Sequence, residues 1–222
     1  MKSFADIHAL ACQRHGGEAA VRAAMPKVLT PAALARKPDA FYLSNMMRRI
    51  FRAGLSHRLV DNKWPAFEDA FFGFDPEKLV LMPDDMLDAR MQDTRLIRHY
   101  GKMRAIRHNA QLVLDVAREH GSFGRFIGQW PDDRLVELWR DLSRRGKQLG
   151  GSSAPAFLRM VGRDTWYPTG DVLAGLIANG VVDRALASQR DRRAAQAAFN
   201  TWQAESGLPQ AHISRTLSMT VG

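Results

Sequence analysis

One cysteine, Cys12, in 222 residues has no partner within the chain, so an internal disulfide is excluded and cysteine usage fits a reducing cytoplasm. No apolar run is long enough to span a bilayer, and the opening residues include Lys2, Asp6, His8, Gln13, Arg14 and His15, which do not form a signal peptide. Strict polar/apolar alternation is missing too, as are internal repeats and low-complexity tracts, which excludes sheet architectures and solenoids. Acidic residues are in deficit: 23 Asp and Glu against 32 Lys and Arg leave a net charge of +9. That balance favours a polyanionic partner, although a solvated basic surface has the same composition. A cytoplasmic all-α protein is expected, long enough to bury a substantial core.

Apolar residues recur at helical spacing along most of the chain. Ser3 caps a first helix carrying Phe4, Ile7, Ala11 and Cys12, and residues 18–25 form a second, stopped by Pro26. Asp39 is expected as the N-cap of a helix whose stripe is Tyr42, Leu43, Met46, Met47, Ile50 and Phe51, ending at Gly54. The other side of that helix carries Arg48, Arg49 and Arg52. Trp64, Phe67, Ala70, Phe71 and Phe74 share a face, Asp75-Pro76 opens a helix to Met82, and Asp84 caps another through Met91. Residues 97–119 form a long basic helix with Met103, Ile106, Ala110, Val113 and Leu114 inward and Arg98, Lys102, Arg104, Arg107 and His108 outward. Residues 121–130 connect it to a helix opened by Pro131-Asp132-Asp133, and residues 188–205 read as the last helix.

The stretch from Arg144 to Val172 organises the rest. Leu135, Leu138, Trp139 and Leu142 mark one helix and Ala156, Phe157, Met160 and Val161 the next, so Leu149-Gly150-Gly151-Ser152 is a tight turn between two helices. Gly150 and Gly151 let the backbone approach a ligand, and Ser152 or Ser153 is a good N-cap. The unpaired N–H groups of the new helix suit a phosphate. His8, Cys12 and His15 fall on one helical face and could hold zinc with a fourth ligand such as His212, but ligands scattered on one helix are more often coincidence.

The hairpin, followed by Pro168-Thr169-Gly170-Asp171-Val172, resembles the helix-hairpin-helix DNA glycosylase superfamily. Arg52-Ala53-Gly54-Leu55-Ser56, then Ala70-Phe71-Phe72-Gly73-Phe74-Asp75-Pro76-Glu77-Lys78, then Ile97-Arg98-His99-Tyr100-Gly101-Lys102 with Ala105-Ile106 and Asn109-Ala110 resemble the 3-methyladenine DNA glycosylase I family. The resemblance runs from about Phe41 to about Phe126 and on through the hairpin. It implies one domain over residues 1–222, with the hairpin at about 133–162, central helices at about 39–130, and two helical lobes around a DNA-binding cleft.

The resemblance also implies roles. Gly54 and Leu55 match a wedge that fills the space left by an extruded base, Leu55 as plain core being the alternative. Arg49 stands where the family has a glutamate and His57 where it has a tryptophan; with Tyr42 and Trp166 these are the expected base pocket. Arg49 can only donate, so it would suit an acceptor-rich base edge or a phosphate. Lys147, Gly150, Gly151, Ser152 and Ser153 would bind the DNA backbone.

Asp171 matches the carboxylate that steadies the developing oxocarbenium charge, with a helix N-cap as its alternative role; Asp164 is a second candidate. Ser153-Ala154-Pro155-Ala156 carries no lysine for a Schiff base, so a monofunctional enzyme acting on an alkylated purine in double-stranded DNA is expected. The protein is expected to be a monomer working at the bacterial nucleoid, with no cofactor; the family's zinc ligands are unmatched, so no metal is expected. A catalytically silent module for distorted or abasic DNA is the alternative, and a basic scaffold for RNA or an acidic protein a weaker one.

Overall fold

The computed structural model describes residues 1–221, and every regular element among them is helical. In chain order these are α1 (Phe4–Arg14), α2 (Glu18–Ala23), α3 (Pro31–Ala35), α4 (Asp39–Arg52), α5 (His57–Ala70), α6 (Pro76–Val80) and α7 (Asp84–Gln92). Then follow α8 (Tyr100–His120), α9 (Phe123–Gln129), α10 (Leu135–Arg145), α11 (Ser153–Met160), α12 (Gly170–Ala178), α13 (Gln189–Ser206) and α14 (Gln210–Ser218). Short 3-10 turns lie at Phe72–Phe74 and Asp132–Arg134. The chain divides into two compact units, one of residues 1–29, 130–139 and 162–222, the other of residues 30–129 and 140–161.

The second unit holds α3 to α9 and the turn that follows α10. Tyr42, Leu43, Met46, Met47, Ile50 and Phe51 are all buried along α4, as their spacing requires. Phe51, Trp64, Phe67, Phe71 and Phe74 form one aromatic cluster, with Trp64 stacked on Phe74 at 5.3 Å and on Phe67 at 5.0 Å. Full burial of each such side chain contributes about 1.5–3 kcal/mol. The 21 residues of α8 run through this unit and pack on α4, α6, α7 and α9.

Asp39 does not cap its own helix, whose N-cap is Pro38. Its carboxylate accepts the Phe123 N–H at 2.9 Å instead, at the start of α9. Burial pushes this carboxyl above the ordinary carboxylate range, and the bond from Phe123 opposes the shift. Asp84 is likewise not a cap: Pro83 holds that position, and Asp84 pairs with Arg107 at 2.6 Å. Asp75 does cap α6, accepting the N–H groups of Glu77 and Lys78.

In the first unit Trp166 stacks on Phe199 at 4.9 Å and lies against Trp139 at 4.4 Å, while its indole N–H donates to Gln196 Oε1 at 3.0 Å. Residues 188–205 do not end the helical part of the chain. After Gly207, α14 follows, with Ala211, Ile213 and Leu217 fully buried. Its N-terminus is capped from a distance: Asp164 accepts the Gln210 N–H at 3.1 Å and the Ala211 N–H at 2.8 Å. The short α3 also escaped the helical reading, because five residues are too few to show a period.

Candidate nucleic-acid interface

Two turns in the second unit hold expected DNA-contacting residues, and α8 braces both. The first joins α4 to α5. An α-helix ends with carbonyls that lack partners, and here a buried lysine supplies one. Lys102 Nζ donates to the Ala53 carbonyl at 2.6 Å and the Phe51 carbonyl at 3.3 Å, and lies 5.9 Å from the centre of the Phe51 ring. Lys102 was expected to face outward; at 6% exposure it is a buried strut. Burial, and secondarily the charge of Arg49, lowers its pKa.

Gly54 then turns with φ +75°, a conformation open to glycine, and Ser56 caps α5 by accepting the Leu59 N–H. Leu55 is half-buried at the turn and not part of the core, while Gly54 and His57 are exposed. Of the three arginines of α4, two are tied down. Arg48 and Arg52 both bind Asp61, the latter through Nη2 at 2.6 Å. Partial desolvation pushes the Asp61 carboxyl up, but the hydrogen bonds from Arg52 and Arg48 outweigh it and hold the group below the usual carboxylate range. Arg49 makes no ion pair among the described residues, and its buried Nε has no hydrogen-bond partner.

The second turn, residues 146–152, joins α10 to α11. Asn109, fully buried on α8, grips it from both sides of one residue: Nδ2 donates to the Lys147 carbonyl at 3.1 Å, and Oδ1 accepts the Lys147 N–H at 2.8 Å. One residue earlier on α8, His108 Nε2 meets the Arg145 carbonyl at 2.9 Å. Lys147, Gly150, Gly151 and Ser152 are exposed, with Gly151 at φ +58°. Ser152 holds the N-cap position of α11 but makes no side-chain capping bond, and Ser153 is buried, its N–H donating to the Gly150 carbonyl at 3.1 Å. The serines therefore shape the turn through main chain and burial, not through hydroxyl caps. The two turns are linked within the unit, since α11 packs on α4 and Arg52 Nη1 reaches Met160 Sδ at 3.7 Å.

Residues 37–154 match the family described as methyladenine glycosylase. The chain belongs to that family. It is a DNA glycosylase family, and its enzymes hydrolyse N-glycosidic bonds in base excision repair. A DNA-3-methyladenine glycosylase of Haemophilus influenzae is 32% identical over 130 residues, which span 50% of this chain and 70% of that relative. DNA-3-methyladenine glycosylase 1 of Escherichia coli is 34% identical over 76 residues, 34% of this chain and 41% of its own length. The solved 3-methyladenine DNA glycosylase I of Staphylococcus aureus superposes with a TM-score of 0.51 at 25% identity, covering 63% of this chain and 80% of that one. The family match ends at residue 154, so α12 to α14 lie beyond it.

The remaining expected site residues divide. Tyr42 and Trp166 are both at 0% exposure. Tyr42 donates to the Leu34 carbonyl at 2.6 Å, and burial pushes its phenol far up; both rings are core, not accessible pocket walls. Asp171 belongs to the first unit, exposed in the first turn of α12. It is not the N-cap, because Thr169 occupies that place and accepts the Val172 N–H at 3.2 Å. Asp164 has both oxygens engaged in capping α14.

The metal grouping read from the sequence separates. His15 Nε2 meets the Met219 carbonyl and His212 Nε2 the Pro26 carbonyl. His8, Cys12 and Glu18 have donor atoms within 4.8 Å of one another, one ligand short of a closed tetrahedral site. Lys102 and Asn109, which brace the two turns, carry the faintest sequence signal. Their signal is that two polar residues, seven apart, fall on the face of α8 otherwise occupied by Ile106, Ala110 and Val113.

Proposed function

We propose that this chain is a monofunctional DNA glycosylase that releases an alkylated purine from double-stranded DNA and leaves an abasic site. The observation that carries the reading is the pair of turns anchored on α8: a Gly54-Leu55 step, with Gly54 exposed and Leu55 half-buried, set by Lys102, and a glycine hairpin set by Asn109. The hairpin binds a backbone phosphate through main-chain N–H groups, and Leu55 enters the stack when the target nucleotide swings out. The C1′–N bond then breaks with its electron pair going to the base. Water adds to C1′ and loses a proton. Asp171 is the carboxylate assigned to steady the developing positive charge at the sugar. Arg49 and His57 are assigned to the base edge; a guanidinium donates only, which suits purine acceptors such as O6 and N7.

Single-turnover release of free base from methylated duplex DNA tests this, with wild type beside Gly151→Arg and Asp171→Asn. Wild type should release base, and Gly151→Arg should release little, its bulky side chain lying where the phosphate docks. Asp171→Asn should lose release with less than about 1 kcal/mol of stability change, since Thr169 keeps the cap. Unimpaired release by Asp171→Asn would remove Asp171 from the mechanism. Arg49 in place of the family's glutamate favours one second reading, a catalytically silent module: no release by wild type together with tight binding to an abasic-site duplex would establish it.

A further inference from the structure

Beside the hairpin turn, α8 and the turn enclose a hollow of about 540 Å³, lined by Gly101, Arg104, Arg107, His108, Lys147 and Gln148 among others. Its size is that of a ligand site, but its walls are only half apolar and include no carboxylate. The other arginines at and around this hollow are matched. Arg107 holds Asp84 at 2.6 Å, Arg118 holds Asp115 at 3.0 Å, Arg144 holds Asp141 at 3.2 Å, and Arg145 holds Glu119 at 3.0 Å. Arg104 is the one arginine of α8 with no carboxylate partner among the described residues, and Lys147 also has none. Both are exposed, so neither charge is hidden from a ligand.

The hollow is also built, not merely left over. Arg104 lies over the Tyr100 ring at 5.4 Å, which props its guanidinium. Asn109 fixes Lys147, and the next residue, Gln148, holds φ +64° without being glycine, a conformation costing about 1–2 kcal/mol. The strained step leaves Gln148 lining the hollow with its amide donor available beside the two cations.

We propose that this hollow is a second DNA phosphate site, in which Arg104, with Lys147 and Gln148, grips a backbone phosphodiester next to the one bound by the glycine turn. The inference rests on the glycosylase reading and adds α8 to the DNA-contacting surface. Its chemistry is that of any phosphate, so free inorganic phosphate is the competing occupant.

Binding of a short undamaged duplex, measured across a salt series, decides it. Arg104→Ala should weaken binding and reduce the steepness of log K against log salt by about 0.9, the contribution of one phosphate contact. Arg104→Lys should restore the slope, and Arg118→Ala, which removes one paired charge from the same helix, should leave it as in wild type. A slope for Arg104→Ala equal to that of Arg118→Ala would overturn the inference while base release by wild type kept the glycosylase reading intact. Displacement of the duplex by millimolar inorganic phosphate from wild type but not from Arg104→Ala, without a slope difference, would assign the hollow to the free ion and overturn it as well. Absence of both salt-dependent binding and base release in wild type would remove the underlying reading, and the inference with it.

Discussion

The α4–α5 turn and the hairpin turn are both fastened to α8, but by opposite chemistry. At the first, a charged ammonium is buried to serve two carbonyls at a helix end. At the second, a neutral amide serves one N–H and one C=O of the same residue. Burying an ammonium carries a desolvation cost that the amide avoids, which is why the lysine is the group whose pKa is displaced. The lysine also places a positive charge close to Arg49. The hairpin is therefore held by geometry alone, and the α4–α5 turn by geometry plus charge. Two arginines around Asp61 add a further charged tie to the α4–α5 turn.

The contrast fixes an order of expected effects. Asn109→Leu should be the most damaging, since it strands both the N–H and the C=O of Lys147; a loss of about 2–4 kcal/mol in urea unfolding is expected, together with salt-dependent DNA binding. Lys102→Met keeps the apolar stem and removes the buried charge, so the stranded carbonyls are partly offset by the relieved desolvation. Its cost should be smaller, about 1–2 kcal/mol; a cost exceeding that of Asn109→Leu would invert the comparison.

Asp61→Asn should cost least, about 1 kcal/mol at neutral pH, and its signature is in pH. Because the folded carboxyl is held below its unfolded value of 3.8, its contribution is complete above that value and disappears as pH falls through the folded pKa. Wild type should thus lose stability on acidification relative to Asp61→Asn, and parallel acid profiles for the two proteins would deny Asp61 this role.

The legible parts of the chain were those where one residue type meets one local requirement. Ser3, Asp75 and the α4 stripe behave as their spacing demands, because caps and amphipathic faces depend on neighbours within a turn or two. The Gly54-Leu55 step and the glycine hairpin were legible for the same reason. Asp39 and Asp164 were not: each caps a helix distant in sequence, reaching Phe123 in one case and Ala211 in the other. Nothing in local spacing encodes a partner so distant. Tyr42 and Trp166 were expected in the base pocket, but both are core, their polar atoms meeting buried partners at Leu34 and Gln196.

The sequence by itself determined an all-helical chain, the glycine turn between two helices, the excess of basic charge and the motifs that resemble a glycosylase family. These depend on composition and on periodicity within one element. Only the tertiary structure decided which charges are spent and which are free. Arg48 and Arg52 are neutralised by Asp61 while Arg49, between them, is not, and Lys102 is turned inward while Arg104, two residues on, is left facing a hollow without a carboxylate. The physical reason is that an ion's role follows from the groups within a few ångströms and from its access to water, and those are set by how helices distant in sequence are brought together.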